Sequence, residues 1–178
     1  NGCSEILLAG RHGRCCRFDE SDARALGRTA SGVRGINIDE DDEVIGMIAY
    51  DPTAEDAQAH SLLVVSEHGY GKRSDFDEYR KTNRGGKGVK TLNITEKTGE
   101  LVAMKNVTDE NDLMIINRSG ITIRMAVADI KVAGRATQGV KLINIKDGDS
   151  IAAISAVNKS EEETSDQQAE PAQEQTNE

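Results

Sequence analysis

Arg84-Gly85-Gly86-Lys87-Gly88-Val89-Lys90-Thr91-Leu92-Asn93-Ile94 decides how this 178-residue chain is read, because two other stretches repeat its pattern without a gap. Counted from Gly69, Arg73 stands four residues on, Glu78 nine, Arg84 fifteen, Gly88 nineteen and Lys90 twenty-one. The same offsets from Gly13 give Arg17, Asp22, Arg28, Gly32 and Arg34, and from Gly120 they give Arg124, Asp129, Arg135, Gly139 and Lys141. Each series closes alike, on Ile36-Asn37-Ile38, Leu92-Asn93-Ile94 or Ile143-Asn144-Ile145. So many coincidences at fixed spacing mean an internal repeat of about 50 residues.

Each unit reads as strands. An apolar run (Leu62 to Val65, Leu113 to Ile116) leads into a short turn ending in Gly13, Gly69 or Gly120, where a three-residue hairpin loop needs positive φ. A second strand, a polar connection and the Gly-Val strand follow. An acidic turn (Asp39 to Glu43, Thr95 to Glu100, Lys146 to Asp149) then returns the chain to a last apolar strand at Val44 to Ile48, Leu101 to Met104 or Ile151 to Ile154. Four short strands per repeat and no helical periodicity predict an all-β fold of propeller-like blades. The chain divides into a blade over 1–51, an acidic connector over 52–59, blades over 60–110 and 111–158, and an acidic tail over 159–178.

Charge looks unfavourable for a polyanionic partner until it is placed. Twenty-two basic against 31 acidic residues give a net charge of -9. The tail holds one lysine against seven acids and so carries -6, leaving -3 on residues 1–158. With no apolar residue larger than Ala or Pro, the tail is predicted to be disordered and to compete with a polyanion for the basic surface. The 3% aromatic content argues against a platform for stacking single-stranded bases. Cys3, Cys15 and Cys16, odd in number with two adjacent, fit neither a disulfide framework nor a C-x-x-C pair, so a reduced cytosolic setting is expected. The sequence has no membrane-spanning apolar run. It begins at Asn1, close to the apolar Ile6-Leu7-Leu8, and reads as a piece of something longer.

No catalytic or metal constellation stands out. His12 and His68 lie on turns and His60 in a connector. A phosphate-binding G-x-x-x-x-G-K-[ST] loop would need Gly at 81 and Ser or Thr at 88, where Lys81 and Gly88 stand. The acids of Asp39 to Glu43 lack calcium-loop spacing and read as a solvated hairpin tip. The basic repeat positions are the informative set. Arg17, Arg73 and Arg124 could contact DNA, or could brace their blades by pairing with Asp22, Glu78 and Asp129. Arg28, Arg34, Arg84, Lys90, Arg135 and Lys141 flank a glycine-bearing loop and enter the next strand, where repetition makes them a basic stripe on the outer edge. The middle unit adds Arg80, Lys81 and Lys87, with Gly85, Gly86 and Gly88 expected to let backbone N–H groups approach an anion. Regularly spaced cations without a recognition helix fit phosphate and shape contacts to duplex DNA.

Asp22 to Ile36, Gly69-Tyr70-Gly71-Lys72-Arg73 and Gly134-Arg135-Ala136-Thr137-Gln138-Gly139-Val140 resemble the last three blades of the C-terminal domain of bacterial DNA gyrase A proteins. The resemblance covers residues 3 to 157. Thr82-Asn83-Arg84-Gly85-Gly86-Lys87-Gly88 is similar to that family's Q-R-R-G-G-K-G box at five of seven positions, with Thr82 and Asn83 in place of Gln and Arg. The family's defining box belongs to its first blade, so this is a box-like loop on a fifth blade. The resemblance implies a β-pinwheel with three of six blades here, the fourth, fifth and sixth. It implies a rim that wraps duplex DNA in support of ATP-dependent negative supercoiling, and no catalytic residue or cofactor in this segment. ATP and Mg2+ would serve the whole cytoplasmic, nucleoid-associated enzyme elsewhere, in an A2B2 assembly with the gyrase B protein and a second copy of gyrase A. The competing readings are the related domain of the topoisomerase IV A protein and a propeller scaffold for protein partners, whose rim residues would vary between blades.

Overall fold

The computed structural model describes residues 2–159; apart from Lys159, the acidic tail lies outside the described residues. The first unit contributes β1 (Glu5–Gly10), β2 (Arg14–Asp19) and β3 (Val44–Tyr50). The second contributes β4 (Ser61–Ser66), β5 (Tyr70–Ser74), β6 (Val89–Lys90) and β7 (Leu101–Val107), and the third β8 (Asn111–Asn117), β9 (Thr122–Ala126), β10 (Val140–Lys141) and β11 (Ile151–Asn158). Only single 3-10 turns interrupt the strands, so the all-β expectation holds among the described residues.

The hairpins are built as their glycines require. Gly13 and Gly69 take φ of +80° and +81°, and their amides donate to Gly10 and Ser66 carbonyls at 3.0 Å, closing the turns between β1 and β2 and between β4 and β5. In the antiparallel register that follows, Leu7 pairs with Arg17 and Leu63 with Arg73.

The sheets run β3-β1-β2-β6, β7-β4-β5-β10 and β11-β8-β9. The outermost strand of each four-stranded sheet therefore comes from the following unit: β6 pairs with β2 through Arg14–Lys90 and Cys15–Val89, and β10 pairs with β5 through Val140–Gly71 and Lys141–Tyr70. Each of these two blades is thus completed by a strand of the following unit. A unit reaches across its neighbour because its connection first runs parallel to that neighbour's second strand, at Arg17–Lys81 and Arg73–Val132. Gly32-Val33-Arg34, at the same offsets, forms no strand among the described residues.

The cores lie between the sheets. On β4, Leu62 and Val64 face a cluster with Leu7, Ala9, Cys15, Phe76, Tyr79 and Leu101, while Leu63 and Val65 face the other way into Leu113, Ile115, Val127, Ile130 and Ile151. Period-two alternation with both faces covered explains why β4 reads as a continuous apolar run. Each such buried side chain contributes on the order of 1.5 to 3 kcal/mol. Residues 52–59 are tied to this core: Ala57 is buried, its carbonyl accepts from the Tyr50 hydroxyl at 3.3 Å, and Tyr50 stacks on Phe76 with ring centroids 3.9 Å apart.

Candidate nucleic-acid interface

The first basic position of the repeat is interior in two units. Arg17 and Arg73 are 8% and 7% exposed. The Arg17 guanidinium pairs with Glu5 at 2.5 Å and donates to the carbonyls of Phe76, at 2.5 Å, and Tyr79, at 2.9 Å. Arg73 pairs with Asp109 and donates to the Ile130 carbonyl at 2.9 Å. Arg124 pairs with Asp112 at 2.7 Å and is the exposed member. Bracing is thus the role of this position, but the acids at offset nine are not the partners. Glu5 and Asp112 lie on the first strand of their own sheets, and the carbonyls belong to the following unit, so Arg17 and Arg73 clamp adjacent blades. The expectation that they contact DNA is corrected accordingly: strand alternation turns them inward, beneath the following unit's 3-10 turn.

The second and third positions lie outside. Arg28, Arg34, Arg80, Lys81, Lys87, Lys90 and Lys141 are exposed, and Arg84 and Arg135 half-buried. Lys90 and Lys141 stand on β6 and β10, the outer edges of the first two sheets. Arg84 donates to the backbone oxygens of Asp22, at 3.0 Å, and Arg34, and Arg135 Nη1 donates to the backbone oxygen of Lys90 at 3.0 Å. In both cases the second basic position of one unit holds the backbone of the third basic position of the unit before. One geometry, used twice, sets these cations side by side along the rim. Lys81 is the exception, since its ammonium bridges Glu5 at 2.6 Å and Asp19 at 3.2 Å, hydrogen bonds that raise its pKa.

The glycines of the box-like loop serve the packing of adjacent units. The Gly85 amide donates to the Gly35 carbonyl at 2.8 Å, and the Gly86 carbonyl accepts from the Asn37 amide at 2.9 Å. Gly88 has φ +70°, and a Cβ there would overlap the Cys15 carbonyl; at Gly139, φ +78°, it would lie 2.5 Å from the Gly71 oxygen. Their lack of a side chain lets the incoming strand cross the neighbouring blade. The Gly85 amide and the Gly88 contact are thereby committed to the neighbouring unit.

Two features of the surface escaped the repeat logic because they do not recur at its offsets. Arg14, exposed beside Lys87, donates to the Lys87 carbonyl at 3.2 Å. Lys97 and Lys146 share a concavity with Lys141, His68 and Tyr70. At the hairpin tips, Arg11 pairs with Glu43 at 3.1 Å, Glu67 at 3.4 Å and Glu100, whose charge is the main cause of its raised pKa. The acidic tips are thereby gathered by a cation of their own, apart from the rim. Among the described residues no cluster of His, Cys, Asp and Glu could hold a metal ion, and no helix is long and apolar enough to cross a membrane.

The family model of the DNA gyrase C-terminal domain, a beta-propeller, matches residues 4–51, 60–108 and 111–158. The DNA gyrase A protein of Staphylococcus epidermidis is 45% identical over 161 residues, 90% of this chain and 18% of that protein. Its counterpart in Staphylococcus aureus strain MRSA252 is 45% identical over 170 residues, 95% and 19%. The chain therefore spans less than a fifth of the length of these relatives. A solved DNA gyrase A C-terminal domain superimposes with TM-score 0.75 at 22% identity, over 86% of this chain and 50% of that one. The C-terminal domain of DNA topoisomerase IV does so with TM-score 0.79 at 22% identity, over 88% and 47%. The fold is common to both enzymes, while the family model and the sequence identity lie with gyrase, and on these grounds the chain belongs to the DNA gyrase C-terminal domain family of β-propellers.

Proposed function

We propose that the chain wraps duplex DNA along its basic rim, as part of a gyrase A protein whose complete enzyme introduces negative supercoils at the expense of ATP. The observation that carries this reading is the repeated bond from Arg84 to the Arg34 backbone and from Arg135 to the Lys90 backbone, which aligns exposed cations along the outer edge. Contacts to successive phosphates must offset the cost of bending the duplex, on the order of 1 to 6 kcal/mol for a smooth bend of 40 to 90°. ATP and Mg2+ would act elsewhere, in an A2B2 assembly with the gyrase B protein in the cytoplasm, at the nucleoid. Topoisomerase IV is the weaker reading, since its support is fold similarity alone.

Wrapping is tested by ligating nicked circular DNA in the presence of the chain and resolving the topoisomers. A shift in linking number of one sign that grows with protein concentration is expected. An unshifted distribution at saturating protein would contradict wrapping.

A further inference from the structure

Lys72 is the one fully buried lysine among the described residues. Its ammonium donates to two successive backbone carbonyls of the third unit's rim loop, Gly134 at 2.6 Å and Arg135 at 2.5 Å. Its neighbours on β5 grip the same loop: the Arg73 carbonyl accepts from the Ala133 amide at 2.8 Å, and the Ser74 hydroxyl donates to the Ala133 carbonyl at 2.7 Å. From this held backbone Arg135 reaches the Lys90 carbonyl, and five residues on the chain enters β10 with Lys141. The equivalent residue of the first unit is Cys16, whose thiol lies 3.6 Å from Thr82 Oγ1 and 3.9 Å from the Asn83 carbonyl, so that unit has no ammonium at this position.

Burying an ammonium is costly, and a methionine of similar length would pack against the same walls without that cost. What the charge adds is a pair of charge-assisted bonds to carbonyls that no hydrocarbon can hold. We propose that Lys72 is a positioning residue for DNA binding, its buried ammonium holding the third unit's rim loop in the shape that sets Arg135 and Lys141 on the rim. This role rests on the DNA-wrapping reading. Burial pushes the Lys72 amine down to about 8; Glu78 opposes this and Arg135 reinforces it, and these are the charged groups that face it. Above that value the amine is neutral, and its bonds to the Gly134 and Arg135 carbonyls lose their charge assistance even though the cost of burying a charge is relieved.

Lys72→Met and Lys72→Arg in the whole chain test the role, with duplex DNA affinity measured at about pH 7 and pH 9 at fixed salt. Carbonyl 13C shifts of Gly134 and Arg135 are followed over the same range. Lys72→Met is expected to weaken binding by about three- to tenfold, with much of the loss restored by Lys72→Arg. Wild-type affinity should fall more between the two pH values than that of Lys72→Arg, which stays charged, and both carbonyls should titrate with a midpoint near 8. Wild-type affinity in Lys72→Met, or carbonyl shifts that do not titrate, would overturn the proposal. If Lys72→Met does not fold, the wild-type carbonyl titration and the Lys72→Arg pH profile decide. A wild-type chain that binds no duplex overturns the DNA reading and this role with it, while the carbonyl titration still reports separately on the clamp.

Discussion

Arg135 donates from Nη1 to the backbone oxygen of Lys90 across 3.0 Å, so a residue of the third unit fixes the strand edge of the second. Arg84 holds Arg34 in the same manner one unit earlier. The second basic position thus both shapes the rim and charges it, whereas Lys87 and Lys90 chiefly charge it.

Substitutions along the rim should separate these roles. Lys87→Ala and Lys90→Ala are each expected to weaken DNA binding uniformly across sequences and to flatten its salt slope by about one, while shifting stability by less than about 0.5 kcal/mol. Arg84→Ala should do the same to binding and in addition lower stability by roughly 0.5 to 1.5 kcal/mol, through two lost backbone bonds. Binding titrations paired with urea melts check both arms.

Arg17 should behave in the opposite sense. Arg17→Ala leaves the Tyr79 carbonyl without its guanidinium donor, the Phe76 carbonyl with the Tyr79 amide alone, and Glu5 with Lys81 alone. A stability loss of roughly 2 to 4 kcal/mol is expected, with DNA affinity of the still-folded protein almost unchanged. Denaturant unfolding of Arg17→Ala, Glu5→Gln and the double variant would show a large coupling between the two.

The crossing glycines give an internal control. Gly88→Ala and Gly139→Ala meet the Cys15 and Gly71 carbonyls as well as an unfavourable positive φ. Gly32 has φ +81°, with nothing within 4 Å of the Cβ position. Gly32→Ala should cost only about 1 to 2 kcal/mol, from the backbone conformation alone, and the other two should cost distinctly more. Equal losses in urea melts of all three would contradict the strand-crossing account.

Stability should have a shaped alkaline profile. The folded-state pKa of Lys72, about 8, lies below its ordinary 10.5, so between those values the unfolded chain binds more protons and stability rises with pH. Burial pushes the Cys15 thiol from 9.0 up to about 12, and also pushes the Tyr79 phenol above its ordinary 10.0. Both contribute stability that is present below their ordinary values and is lost as pH rises beyond them. Urea midpoints should climb from about pH 8 to 9, level off, and decline past about pH 10. In Lys72→Met the climb should vanish and the decline remain.

Most of this architecture was legible because the repeat is gapless: Gly13, Gly69, Arg84 and Arg135 mark turns and connections that the structure uses in every unit where a neighbour is present. Strand exchange was not legible. Local alternation places Val89-Lys90 in a strand but is silent about which sheet receives it, and only the close approach of Gly88 to Cys15 makes the answer physical. The inward turn of Arg17 and Arg73 follows from pairing with Leu7 and Leu63 in sheets covered on both faces, a tertiary fact. Lys72 stood in plain view within the Gly69-to-Arg73 stretch, yet Cys16 and Ile123 occupy its offset in the other units, so repetition gave no cue.

The most direct measurement for the central claim is the affinity of the whole chain for duplex DNA as a function of salt. A rim that tracks the phosphate backbone predicts a steep linear fall of log affinity with log salt, of up to about 0.9 for each phosphate contacted, with a slope shared by unrelated sequences. Affinity that hardly changes with salt would contradict it.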